Sequence, residues 1–182
     1  MGKAKQLLEF QGKPLLRHAA EVALASGCDP VVVVLGSRAD SLRASLDGLP
    51  VHVALNERWS EGMGTSIQCG LTYLANAASG AAVDGVILGL ADQPYVTAAF
   101  LRQLPELHRA TGKLIVAARY SDTFGVPVFF AAQAFPWLLD LAPGEGCKKL
   151  IANHPDDRLL ADCPAAATDI DTPADYARLV HP

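Results

Sequence analysis

The stretch VILGLADQPYV, residues 86–96, is an apolar run that stops at a carboxylate, Asp92, followed at once by Gln93 and Pro94. An acid at the end of a buried strand either closes a turn or holds a ligand. Near the far end of the chain, DIDTP places Asp169 and Asp171 just before a helix start. Two carboxylates brought together from such distant segments suit a hard cation such as Mg²⁺, which proteins usually hold with one or two carboxylates plus substrate phosphates. Asp before Thr-Pro is also an ordinary way to enter a helix, so each acid carries a structural reading beside the functional one. Asp92, with its Gln-Pro sequel, is the stronger candidate, and Asp171 is better placed than Asp169 to face it.

The loop NERWSEGMGTS, residues 56–66, leads into a helical stretch. A glycine turn at a helix start exposes backbone N–H groups, and Thr65 and Ser66 add hydroxyls, so GMGTS is either an anion site or a plainly capped helix. It is not a Walker loop, because no Gly-Lys-Ser/Thr follows. Lys3 and Lys5 precede an apolar run and are either solvated or available to neutralise phosphate charge. The five histidines show no metal spacing, and no serine stands in a GxSxG context, which argues against a hydrolase triad. Trp59 and Trp137 read as packing residues, Trp59 lying in the candidate binding loop.

These groups need elements to position them. PLLRHAAEVALASG has helical apolar spacing, with Pro14 at its start and Gly27 as its stop. VVVVLG (31–36), VHVAL (51–55), GVILGLA (85–91), KLIVAAR (113–119) and VPVFF (126–130) read as strands, with a last short strand near 167–170. Helices are expected over 38–46, over 64–79, after a Thr97 cap and interrupted at Pro105, over 131–141 and 146–153, and from Thr172-Pro173 to about Val180. Pro127 cannot donate to a ladder, so its strand is expected at an edge or a bulge. Alternating strands and helices predict an α/β fold, Rossmann-like and three-layered, with a mostly parallel sheet and helices on both faces. Ligands of such sheets sit beyond the carboxyl ends of the strands, where Asp92 and the 56–66 loop fall. Residues 1–182 are expected to form a single domain.

Composition narrows the class. The 182 residues are 51% hydrophobic with a formal net charge of −4, which disfavours a nucleic-acid surface. No stretch reaches membrane-span length, and the N-terminus has no signal-peptide core. Position 6 is glutamine, so the myristoylation pattern at Gly2 fails. Cys28, Cys69, Cys147 and Cys163 lie far apart and read as reduced thiols, so a cytoplasmic protein is expected.

Taken together, MGKAKQLLEFQGKPLLRHAAE, NERWSEGMGTSIQCGL, LADQP, YSDTFGVPVFF and DIDTPADYARL resemble the nucleotidyltransferases of the molybdenum cofactor, and among them the molybdopterin cytidylyltransferase-like branch. The resemblance runs nearly the full length. It implies Mg²⁺-dependent transfer of a nucleoside monophosphate, CMP from CTP, to the terminal phosphate of molybdopterin, with release of pyrophosphate. It also implies that Lys5 contacts the triphosphate, that Asp92 holds Mg²⁺ with Asp171 beside it, and that Asn56, Gly64, Thr65 and Ser66 contribute to nucleotide binding. A molybdenum hydroxylase is the implied recipient of the product. Two other readings stand beside it: a nucleotide-sugar pyrophosphorylase, and a non-catalytic partner that binds nucleotide or carries the cofactor.

The sequence departs from the family pattern in three places. Asp122 stands where a glycine is common, and Lys148 where an arginine is. Met1-Gly2 stand inside the family's LAAGxSxRMG loop, so the resemblance implies a chain without the family's first strand and without that loop's arginine. Strands 31–36 and 85–91 are therefore expected to stand too far apart to pair, or the sheet to repack or recruit another chain, and the 182-residue form to turn over weakly.

Overall fold

The structure is a computed structural model that describes residues 4–77, 83–170 and 172–180. Its centre is a pair of antiparallel strands, β6 (Ile115–Tyr120) and β7 (Thr123–Ala131). Residues 115–118 and 128–131 are all buried, and their side chains alternate between two cores. Ile115, Ala117, Val128 and Phe130 face Ile67 and Leu71 of helix α3 (Met63–Ala77), Leu138 of α5 (Phe135–Leu139), and Leu150 and Ile151 of α6 (Cys147–Asn153). Val116, Ala118, Phe129 and Ala131 face Phe100 and Leu104 of α4 (Ala98–Thr111). Period-two alternation in a strand that is apolar on both sides thus produces the expected three layers.

Strand β5 (Gly85–Leu88) pairs with β7 on one side, and β8 (Arg158–Asp162) pairs with β6 at the other end, giving the order β5-β7-β6-β8. Three of these strands run one way, and β7 alone is reversed. Strand β7 is interior, so the edge position considered for Pro127 is corrected, while the bulge is present. The register jumps from Ala117↔Val128 to Ala118↔Gly125, and the pairing with β5 ends at Val128. Val126 and Pro127 therefore stand outside the ladder, where a missing N–H forfeits no strand bond.

Two other expectations are corrected, and one element is new. The last strand is 158–162, whereas 164–167 form a 3-10 turn; the half-buried edge strand carries too weak an alternation to be seen locally. Helix α4 runs unbroken through Pro105, held by the buried side chains of Phe100, Leu101 and Leu104. An unanticipated hairpin of β1 (Glu9–Phe10) and β2 (Lys13–Pro14) turns at Gln11 and Gly12, both at positive φ. Two caps are as expected. The Thr97 hydroxyl accepts from Phe100 N, and Thr172 exchanges reciprocal bonds with Asp175 at the start of α7 (Pro173–Val180).

The remaining strands, β3 (Val32–Leu35) and β4 (His52–Leu55), form a separate parallel pair. Among the described residues β3 pairs with β4 alone and β5 with β7 alone, so the expected interval between β3 and β5 is present. Helices span it on both sides. On one side α3 sets Gly70 against Val34 and sends Ile67 and Leu71 into the core that includes Val86 and Leu88. On the other, Leu16 and Ala20 of α1 (Leu15–Ala25) pack with Leu35, while Arg102 of α4 donates to the carbonyls of Ala25 and Ser26. Val32–Val34 and residues 85–88 are only half-buried. Backbone amides on the facing edges of β3 and β5 should exchange with solvent faster than those of β6 and β7 by about tenfold or more. Hydrogen exchange resolved by residue checks this; uniform protection across the four strands would mean the interval is closed in solution.

Candidate active site

Asp92 lies just past the carboxyl end of β5 and is bound from two directions. The Lys5 ammonium, on a 3-10 turn at Lys5–Leu7, stands 2.5 Å from its Oδ2. Its main-chain carbonyl accepts from Ile170 N at 3.1 Å. The next residue, Gln93, is buried and donates from Nε2 to the carbonyls of Ala166 and Val126. One oxygen of the carboxylate is left over: Oδ1 of Asp92 is buried and has no hydrogen-bond partner. A buried anionic oxygen without a donor is costly unless something positive completes it.

Lys5 and Asp92 are thus brought together across 87 residues. Asp171 and Lys3 lie outside the described residues. Ile170 is tied to the acid's own main chain through its N–H bond to the Asp92 carbonyl. Asp169 is exposed, and its charge adds to burial in pushing the Tyr120 phenol up. His18 is half-buried and donates from Nε2 to the Pro94 carbonyl at 2.9 Å. Its ring meets Phe10 edge-on, so it buttresses the 92–94 loop; nothing in its local spacing signals that contact.

Asn56 organises the second half of the rim. It follows β4, extends the pairing through its N–H to the Leu35 carbonyl, and is 4% exposed. Its Nδ2 donates to Thr65 Oγ1 at 2.9 Å and Ser66 Oγ at 3.0 Å, and its Oδ1 accepts from Arg58 N at 2.9 Å. One amide therefore closes the 56–66 loop onto the start of α3. Gly64 donates its N–H to the Pro143 carbonyl, and a Cβ there would meet Ala142 O at 2.4 Å. Gly62, at φ +130°, meets the same segment. Gly64 and the buried Thr65 act on the loop from inside, and Ser66 is half-buried. Asn56→Ala should lower stability by about 1–3 kcal/mol, since three bonds end on it and two of its partners are half-buried or deeper. The urea midpoint measures this.

Other reactive groups are quiet. Burial pushes the Cys147 thiol up to about 11 and raises Cys69 and Cys163 as well, so these thiols are protonated at neutral pH. Among the described residues no three His, Cys, Asp or Glu side chains gather into a metal cluster, and no helix is long and apolar enough to cross a membrane.

The rim therefore offers one carboxylate with an open oxygen, one lysine and a locked glycine loop, arranged on a nucleotidyltransferase-type α/β scaffold. Residues 1–159 match the family described as the MobA-like NTP transferase domain, and the chain belongs to that family of nucleotidyltransferases. It is 31% identical over 186 residues to nicotine blue oxidoreductase from Paenarthrobacter nicotinovorans, covering 97% of this chain and 87% of the relative. It is 27% identical to the purine catabolism protein PucB of Bacillus subtilis (strain 168), with the same coverage of 97% and 87%. Among solved structures, Rv0371c from Mycobacterium tuberculosis H37Rv superposes over 100% of this chain and 92% of its own, with a TM-score of 0.78 and 32% identity. A complex of Rv0371c with manganese superposes with a TM-score of 0.76 at 28% identity, over 97% of this chain and 91% of its own.

Proposed function

We propose that this protein transfers CMP from CTP to the terminal phosphate of molybdopterin, with Mg²⁺ held at Asp92 and pyrophosphate released. The observation that carries the reading is the pair at the end of β5: a carboxylate with one buried, unpartnered oxygen and a lysine ammonium on the other. The open Oδ1 fits a hard divalent ion that takes its remaining ligands from phosphate oxygens and water, with Asp171 as the second acid. Such an ion supplies charge neutralisation at the phosphates and the leaving pyrophosphate.

The residues of the chain do the rest. Lys5, freed from Asp92 Oδ2, lies within reach of the triphosphate and offsets its charge. Asn56 holds the loop of Gly64, Thr65 and Ser66 in the shape that receives the nucleotide. The acceptor's phosphate oxygen attacks the α-phosphorus and the bond to the pyrophosphate oxygen breaks. That nucleophile is already anionic at neutral pH, so no general base is needed. Positioning and charge neutralisation carry such a displacement. The choice of CTP rests on the Asp-Gln-Pro form and the resemblance of the five segments; the manganese complex of Rv0371c supports a divalent ion.

The test is thermal stability with CTP, GTP and ATP, each with and without Mg²⁺. A ligand at about 100 times its dissociation constant stabilises by ~2.7 kcal/mol. The expected result is a magnesium-dependent rise, largest with CTP and absent in Asp92→Ala. An equal rise with all three nucleotides overturns the base assignment, and no rise with any overturns the nucleotide site. Nucleotide binding without pyrophosphate release in the presence of molybdopterin favours the non-catalytic partner.

A further inference from the structure

Phosphate chemistry gives no account of the apolar surface on the same rim. Among the described residues six large hydrophobic side chains remain exposed, and five (Leu55, Trp59, Met63, Leu90 and Tyr95) lie in segments at the carboxyl ends of β4 and β5. The largest of them, Trp59, is 49% exposed, and Met63 on the same loop is 51% exposed. Exposed apolar side chains gathered on a functional rim mark a binding surface.

Trp59 is fixed at its base. A Cβ at Gly36, immediately after β3, would stand 2.4 Å from Trp59 Cβ and 2.8 Å from its Cγ, so the indole rests on a backbone position that only glycine leaves open. The Trp59 carbonyl accepts from Gly62 N, and Arg58 and Glu61 on either side form a two-bond ion pair. The ring is therefore held at its root and open at its face. Leu35, the residue before Gly36, belongs to the same apolar cluster as Ala4 and Ala91, the residues before Lys5 and Asp92.

We propose that Trp59 is the platform on which a planar nitrogen heterocycle of the bound ligand stacks, while that ligand's phosphates meet Lys5 and Asp92. An indole offers a large, rigid apolar face at low entropic cost, and a flat heterocycle matches it. Two rings could supply that chemistry, the base of the nucleotide and the ring system of the acceptor. The inference rests on the proposed function.

The test uses the full chain, which holds two tryptophans. Trp137 is stacked on His154 with ring centroids 4.0 Å apart, so Trp137→Phe leaves Trp59 as the sole indole reporter outside that pair. Three probes are titrated with Mg²⁺: CTP, neopterin monophosphate, and pyrophosphate as the ring-free control. The expected result is a change in Trp59 emission with CTP or with the pterin and none with pyrophosphate. The Trp59→Phe protein, reporting through Trp137, corrects for absorption by the probes. Calorimetry should show Trp59→Ala weakening the ring-bearing probe roughly tenfold. Trp59→Phe should restore most of that affinity, and pyrophosphate binding should be unchanged in both variants.

A response to CTP assigns the platform to the base, and a response to the pterin assigns it to the acceptor. Calorimetric binding of both rings with no change in Trp59 emission overturns the proposal, as does unchanged affinity in Trp59→Ala. If pyrophosphate binds but neither ring-bearing probe binds more tightly, the platform alone fails. If pyrophosphate also fails to bind, the underlying nucleotide-site reading falls with it.

Discussion

Asp92→Asn should remove the magnesium-dependent rise in melting temperature with nucleotide and lower any nucleotidyl transfer by about 10²–10³-fold. The substitution keeps the volume of the side chain and removes only its charge. Oδ1 is buried without a partner, so in the wild-type protein it is an open ligand position on a full negative charge. A neutral amide can still place an oxygen there, but a hard divalent ion gains little from it. The amide also turns a donor toward the Lys5 ammonium if its oxygen keeps the Oδ1 place, so the two ends of the pair no longer attract. Because Lys5 keeps about a third of its side chain in solvent, it can turn away, and the fold should survive. Circular dichroism establishes folding, and calorimetry with Mn²⁺ measures the loss. Unimpaired cation-dependent nucleotide binding in the folded variant would remove Asp92 from the metal site.

The second large effect has opposite signs for two ligands. In Lys5→Met, divalent cation binding without nucleotide should strengthen by about fivefold, while triphosphate binding should weaken by roughly ten- to a hundredfold. Without ligands the ammonium sits 2.5 Å from Oδ2, so a cation arriving at Asp92 competes with a positive charge already there. Methionine keeps the apolar stem and removes the competitor. Once a triphosphate is bound the same ammonium has a better partner, and its charge-assisted bonds to phosphate are lost in the variant. Mn²⁺ titration followed by electron paramagnetic resonance gives the first constant, and calorimetry with CTP gives the second. A fall in both affinities would mean that Lys5 supports the acid's position instead of competing at it.

The legible part of this protein was local. Helical spacing in residues 15–25, the caps at Thr97 and Thr172, the apolar strands and the acid that ends one of them were all visible, because periodicity and capping depend on residues within a few positions of one another. The motif order carried the family, and residues 1–159 match it. The separation of β3 from β5 was also anticipated, from the family pattern and not from the strands themselves.

What was not legible depends on partners far along the chain. Two apolar strands of similar composition, 115–120 and 123–131, give no sign that the second is reversed and central, since reversal is decided by the hairpin between them and by which edge β5 takes. Pro105 reads as a helix break until the cost of one lost hydrogen bond is set against the burial of Phe100, Leu101 and Leu104. Asn56 looks like one loop residue among many until its amide is seen to reach Thr65, Ser66 and Arg58 at once. The acid at position 92 was visible in the sequence alone. Its open oxygen was not, because that exists only where tertiary packing brings Lys5 to Oδ2 and Ile170 to the main-chain carbonyl and leaves Oδ1 buried without a donor.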